Sequence, residues 1–322
     1  MTSGKIELHT HLEGSVSPAR LIELADRHGC PHLPAGCLNT AGDGFVFEDF
    51  AGFLKLYKTI TSVMRTARDF HDMALDLGAK MAKDGVVYAE ISVSYAILLI
   101  RDLDPLPIQR ALHEAAAEIE ETLGVRLRWI PDAVRQFEEK WAWRAWEKAA
   151  TAGRQLGVVG FGLGGDENGG EAARYAKLFA EVKTEGYGVT IHAGENPGMG
   201  ARGRTSVREA VEDCQADRIG HGLAAAYDPQ LLALLRARQT FVELCPGSNV
   251  VTGGVATWPD FPLMAFVDAG IACALNTDDR TVFAIDLTGE YERASHLLGL
   301  SDEQAAAMNQ AAAAAAFGQV PR

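Results

Sequence analysis

The feature that most constrains the fold is an alternation running almost the length of the chain. Short runs rich in β-branched residues are separated by longer stretches with helical periodicity. Eight candidate strands stand out, at Lys5–Leu12, Val86–Ser92, Arg126–Pro131, Val158–Leu163, Gly188–His192, Arg218–His221, Thr240–Cys245 and Ile271–Asn276. Helices are expected between them, for instance over Pro18–His28, Ile108–Leu123, Gly170–Thr184 and Pro229–Ala237. The Ala311–Ala316 run reads as part of a terminal helix, because alanine has the strongest helix propensity. Strands that alternate with helices pair in parallel, each helix serving as the crossover. Eight such units in 322 residues match one α/β domain, a (β/α)8 TIM barrel with insertions. An open, doubly wound sheet satisfies the same alternation.

An insertion is expected after the first strand, since Cys30 to Arg68 is too long for a simple crossover. Within it Phe50, Phe53, Leu54 and Tyr57 recur at helical spacing. They read either as a core-facing helix or as a helical lid offering an apolar wall to a flat substrate. Trp141, Trp143 and Trp146 are interleaved with Lys140, Arg144, Glu147 and Lys148, the pattern of a half-buried helix.

Composition narrows the partners. With 48% hydrophobic and 23% charged residues the chain is not wholly disordered. Its 30 basic residues against 43 acidic give a net charge of −13, which argues against nucleic acid and anionic membranes and leaves small molecules as partners. The five cysteines are scattered, odd in number and without a Cys-x-x-Cys pair, so a disulfide framework is not expected. The N-terminal stretch lacks the apolar core of a secretory signal and no apolar run reaches the ~20 residues that span a bilayer. A cytoplasmic protein is expected.

Where the polar residues fall points to chemistry. The first strand ends in His9-Thr-His11, and residues i and i+2 of a strand face one side, so both imidazoles can reach one metal. The fourth strand is followed by Gly164-Gly165-Asp166-Glu167, the fifth ends in His192-Ala-Gly-Glu195, the sixth in Gly220-His221-Gly222, and the eighth in Asn276-Thr-Asp278-Asp279. In a barrel all of these lie at the C-terminal rim, where such enzymes carry their sites. Histidines with a carboxylate suit zinc better than other divalent metals. Cys245-Pro246 offers a single thiol and reads as a buried strand cysteine before a turn.

On these segments the chain resembles the adenosine deaminase family of metal-dependent amidohydrolases. The matching stretches are ELHTHLEGS (7–15), DGVVYAEISVS (84–94), VVGFGLGGDE (158–167), TIHAGE (190–195), RIGHG (218–222), ELCPGSN (243–249) and LNTDD (275–279). The resemblance implies a barrel and one zinc per chain, held by His9, His11, His192 and Asp278 with a position left for water. It also implies Glu195 as proton donor to N1 of a 6-aminopurine and His221 as base or electrostatic stabiliser. Asp279 would bond N7, the Gly165 N–H would donate to N3, Glu13 would accept from a sugar hydroxyl, and His11 would border the substrate. The implied reaction is deamination of adenosine or 2′-deoxyadenosine to the inosine nucleoside and ammonia.

Four positions depart from the family pattern. Ser92 stands where arginine is frequent, Tyr95 where proline is, Gly162 where aspartate is and Arg280 where proline is. None belongs to the zinc set, but each can reshape the pocket, and Arg280 or the altered second strand could recognise an added group. Free adenine or a modified adenosine such as 6-aminodeoxyfutalosine is therefore the alternative substrate. A metal-binding barrel without catalysis is the remote one, disfavoured because it has no chemical use for Glu195 and His221.

Overall fold

In the computed structural model, which describes residues 4–30 and 36–321, the alternation resolves into eight parallel strands bonded in chain order. They are β1 (Lys5–His11), β2 (Val86–Val93), β3 (Arg126–Val134), β4 (Gly160–Gly164), β5 (Gly188–Ala193), β6 (Arg218–His221), β7 (Phe241–Leu244) and β8 (Cys273–Leu275). The seam between first and last strand is drawn together just beyond β8. Thr10 bridges Asp278 in parallel, the Asp278 N–H donates to the His9 carbonyl (3.0 Å), and the His11 N–H donates to the Asp278 carbonyl (3.1 Å). This is a (β/α)8 barrel, and the open sheet is excluded because β1 and the segment after β8 are neighbours.

Local chemistry sets the helix starts. Between β1 and β2 lie α1 (Pro18–Arg27), α2 (Phe50–Val63) and α3 (Ala67–Lys83). Ser17 caps α1 by accepting from the Arg20 N–H, with Pro18 in the first turn, and Asp49 caps α2 by accepting from the Gly52 N–H. Thr66 and Asp69 form a reciprocal capping box on α3. The helix Glu139–Ala152 buries Trp146 against Phe161 and Tyr187, while Trp141 and Trp143 stay half-buried. The alanine run lies within the helix Asp302–Ala315.

Among the boundaries that differ from expectation, two bear on the site. The stretch expected to be helical from Gly170 instead begins with a 3₁₀ turn, Ala172–Tyr175, and is α-helical over Ala176–Thr184. Gly170 is extended and packed so closely that a Cβ there would come within 2.4 Å of the Arg135 carbonyl oxygen. β3 continues past Pro131, its last partner in β2 being Val93, and pairs onward with β4 through Asp132–Gly162, Ala133–Leu163 and Val134–Gly164.

The barrel interior is polar along its axis. Arg218 of β6 reaches Glu90 of β2 (2.6 Å) and Glu243 of β7 (2.5 Å), and Glu243 holds His9 of β1 (2.7 Å). β2 and β6 are not neighbours, so the first of these contacts crosses the interior. Beneath them the chain's end closes the N-terminal mouth. The backbone N–H groups of Phe317 and Gly318 donate to Glu90, and the Phe317 ring lies 3.7 Å from the Arg218 guanidinium carbon. Paired glycines make room for that ring, since a Cβ on Gly160 or Gly188 would fall 2.7 or 2.2 Å from it. Arg218→Ala would leave two buried acids without their cation. Breaking such a cluster costs about 3–5 kcal/mol, so the urea midpoint should fall markedly; a midpoint equal to the parent's would refute this account.

Candidate active site

At the opposite, C-terminal rim the strand ends converge on a cleft. His9 and His11 come from β1, His192 from β5 and His221 from β6, with Asp278 just beyond β8. The His9 and His11 Nε2 atoms lie 3.4 and 3.3 Å from Asp278 Oδ1, and the His11 and His192 Nε2 atoms are 3.1 Å apart. His221 approaches the other oxygen, with Nε2 3.8 Å from Oδ2, which also accepts from the Ser248 hydroxyl (2.7 Å). One donor atom each from His9, His192, His221 and Asp278 fits within 4.8 Å, so the geometry groups His221, and not the expected His11, with the other three expected ligands, although His11 Nε2 also lies against Asp278.

The ring orientations suit a cation. His9 Nδ1 is held by Glu243 and His192 Nδ1 faces the Leu163 carbonyl oxygen (3.2 Å). A neutral imidazole that donates from Nδ1 presents a bare lone pair at Nε2. The His9 lone pair then faces Asp278 and that of His192 faces His11 Nε2, and His9 Nε2 is buried with no hydrogen-bond partner among the described residues. A proton or a metal ion resolves the conflict. Burial opposes charge on His9, but Asp278 and Glu243 outweigh it and push its pKa up to about 9, and the same anions favour a metal cation. His192 is held well below the usual histidine range by burial and by His9 and His11. Burial lowers His221 to about 4, with His9 and His11 adding to the effect and Asp278 opposing it.

Acids flank the cluster. Burial pushes Glu195 up to about 8, helped by Asp278 and Glu167. Asp279 is raised well above the carboxylate range by burial and by Asp278 beside it. Gly165 lines the cleft at φ +93°, a backbone that favours glycine, and a Cβ there would strike Gln136 at 2.2 Å. Another glycine earns its place by size, since a Cβ on Gly220 would meet the His9 ring at 2.6 Å. Phe50, Phe53, Leu54 and Tyr57 of α2 line the cleft with an apolar face.

Glu13 is not where a free sugar acceptor would stand. It is buried outside the cleft lining, one oxygen accepting from the Ser94 N–H (3.0 Å) and the other from the Tyr57 hydroxyl (3.3 Å). Arg280 corrects a second expectation. It is buried on Glu7 (3.2 Å) and Asp84 (3.1 Å), away from the cleft, so it cannot recognise a group on a substrate. Cys245 is buried and outside the donor cluster.

Several residues that position the site went unread in the sequence. Glu167 accepts from the Gly194 and Glu195 N–H groups (2.8 Å each), fixing the turn that presents Glu195. Asn249 donates to the Glu195 carbonyl oxygen (3.1 Å), and the buried Arg135 donates to that of His192. Glu243, Ser248 and Asn249 belong to one quoted segment, ELCPGSN, whose polar residues were the available signal. Asp132, buried and lining the cleft, was missed because the third strand was ended at Pro131.

The chain is similar to known proteins over nearly its whole length. The adenosine deaminase family model matches residues 4–322. An aminodeoxyfutalosine deaminase from Acidothermus cellulolyticus is 37% identical over 297 residues, covering 91% of this chain and 82% of that protein. An adenine deaminase from Mesorhizobium japonicum is 33% identical over 316 residues, covering 97% and 94%. Among solved structures, adenine deaminase from Arthrobacter aurescens superposes with a TM-score of 0.88 at 26% identity, covering 98% and 94% of the two chains. Among the described residues no helix is long and apolar enough to cross a membrane. The chain belongs to the adenosine deaminase family and is a hydrolase acting on the C–N bond of a cyclic amidine.

Proposed function

We propose that this chain deaminates an unphosphorylated 6-aminopurine to the 6-oxopurine and ammonia, with free adenine or a modified adenosine such as aminodeoxyfutalosine as substrate. The observation that carries the reading is the meeting of four imidazoles and Asp278 with Glu195 and Asp279 in one cleft. Adenosine, the substrate expected from the sequence, gives way to these alternatives because the relatives that match over nearly the whole chain are named for them.

His9, His11, His192 and Asp278 are assigned to hold one zinc ion, and the nitrogen and oxygen donors suit that metal. His9 and His11 share Asp278 Oδ1, whereas His221 faces Oδ2, which supports keeping His221 apart as the base. Bound zinc supplies an acidified water for attack at C6. His221, neutral through burial, takes a proton from the attacking water. Attack breaks the aromaticity of the ring, so N1 must gain a proton, and Glu195 stays protonated near neutral pH to give it. Asp279, also kept protonated, donates to N7, and the Gly165 N–H donates to N3. Collapse at C6, with the proton held by His221 passing to the amino nitrogen and the hydroxyl proton returning to Glu195, breaks the C–N bond and expels ammonia. Among the described residues no lysine or arginine lines the cleft, while Asp132, Glu195, Asp278 and Asp279 do, so a phosphate has no partner.

Elemental analysis tests the ligand set. His11→Ala and Asp278→Ala should lose metal and activity together, whereas His221→Ala should keep its metal and lose turnover; loss of metal from His221→Ala alone would exchange the two roles.

Glu195→Gln should retain zinc and still bind purine, while kcat falls about 10²–10⁴-fold. Turnover close to the parent's would remove Glu195 as proton donor.

A substrate panel followed by absorbance and ammonia release decides the purine. Adenine or aminodeoxyfutalosine should exceed adenosine in kcat/KM by about 10-fold or more, the scale of one charge-assisted hydrogen bond, and AMP should be poorest. Adenosine as the best of the four would restore the expectation from the sequence.

A further inference from the structure

One acid in the cleft has no role in the scheme above. Asp132 is 3% exposed and sits on β3 with Val134, two residues on and on the same side, both lining the cleft. Its Oδ1 is buried with no hydrogen-bond partner among the described residues, and no lysine or arginine lines the cleft beside it. A buried acceptor left unpaired is costly, and more so when charged. The strand opposite leaves it room. Its register partner is Gly162, where a Cβ would come within 3.3 Å of the Asp132 Cβ. Ser94, which reaches its carboxylate by a hydrogen bond, His11 and Glu13 are its polar neighbours.

We infer that Asp132 is a specificity-determining residue that accepts a hydrogen bond from an N–H or O–H donor on the N9 side of the purine. The inference rests on the 6-aminopurine reading. In that reading Glu195 and Asp279 serve N1 and N7, and Gly165, one strand from Asp132, serves N3. N9 shares ring carbon C4 with N3, so the group it carries points to the wall where Asp132 stands. Two donors have the required chemistry: the N9–H of a free base, or a hydroxyl of a sugar attached there. The missing counterpart of the Asp132 oxygen is then part of the substrate. Gly162 is the complementary departure, since a side chain there would crowd the acid.

Substrate deletion combined with mutation tests this. Adenine, adenosine and 9-methyladenine share the reacting edge, but 9-methyladenine carries no donor on the N9 side. In zinc-loaded enzyme, Asp132→Ala should lower the preference in kcat/KM for a donor-bearing substrate over 9-methyladenine by about 10–150-fold, the range for a hydrogen bond to a charged group. A fall for adenine alone identifies the ring N–H, and a fall for adenosine alone identifies a sugar hydroxyl. Asp132→Asn, nearly isosteric, should move the preference the same way by less and serves if the alanine variant folds poorly. An unmoved preference would overturn the inference, whether activity persists or falls equally on every substrate; an equal fall would make Asp132 a positioning residue acting through His11. If the parent enzyme turns over no 6-aminopurine, the functional reading fails and takes this inference with it, which separates the two failures.

Discussion

The buried chain of charge from Glu90 through Arg218 and Glu243 to His9 is the constraint on which the rest of the structure depends. It joins strands β2, β6, β7 and β1 across the interior, so it fixes their relative positions more directly than neighbouring ladder bonds can. Its charges do not cancel. Two glutamates share one arginine, and the surplus negative charge is directed at His9 through a 2.7 Å contact. Burial works against ionised Glu243, but Arg218 and His9 hold its pKa below the usual value. A cation beside His9 completes the neutralisation. The axis therefore builds the barrel and prepares one end of it for a metal. The Phe317 ring and the N–H groups of Phe317 and Gly318 seal the other end against water, keeping the electrostatic interactions strong along the whole path.

The barrel's seam falls at the same place as its chemistry. The backbone that draws first and last strands together belongs to His9, His11 and Asp278, so the residues assigned to the metal are also those that close the cylinder. Asp278 adopts φ +58° and His221 φ +63°, left-handed conformations that side-chain-bearing residues seldom take. Such backbone persists where surroundings enforce it. Here Ser248 fixes the Asp278 carboxylate and the two seam hydrogen bonds fix its peptide groups. Geometry at the cluster is thus held from both the backbone and the side chains, which is the preorganisation that catalysis by positioned groups requires.

Much of this was legible in the sequence because its signals are local. Strand–helix alternation and turn chemistry depend on neighbours along the chain, and the C-terminal strand ends, apart from that of β3, were placed within one residue. His9-x-His11 follows from the strand period alone. What escaped was non-local. Arg280 looked like a substrate-recognising group by its place after Asp279, but Glu7 and Asp84, hundreds of residues away in sequence, hold it in the wall of the barrel. Glu13 looked free beside His11, but Ser94 and Tyr57 arrive from other segments to occupy it. Asp132 was hidden by a proline that breaks most strands and here falls at the last pair with β2. Glu167 and Glu243 were quoted as motif letters, and only packing revealed that they orient Glu195 and His9.

The acids of the cleft divide according to what neutralises them. Hydrogen bonds from His11 and His9 pull the Asp278 pKa far down despite burial. Burial and the nearby charge of Asp278 raise Asp279 and Glu195, which turns them from acceptors into donors, assigned to ring nitrogens in the proposed pose. One reactive end thus presents an acceptor for metal and two donors for a purine. Glu13 is satisfied by the protein itself, through Ser94 and Tyr57. Asp132 alone among these lining acids faces neither the metal nor a ring nitrogen in the proposed pose. In the proposed reading, a cleft built in this way recognises a purine by its pattern of acceptors at N1, N3 and N7 and disfavours anionic groups by like charge. Its remaining discrimination is left to what the purine carries at N9.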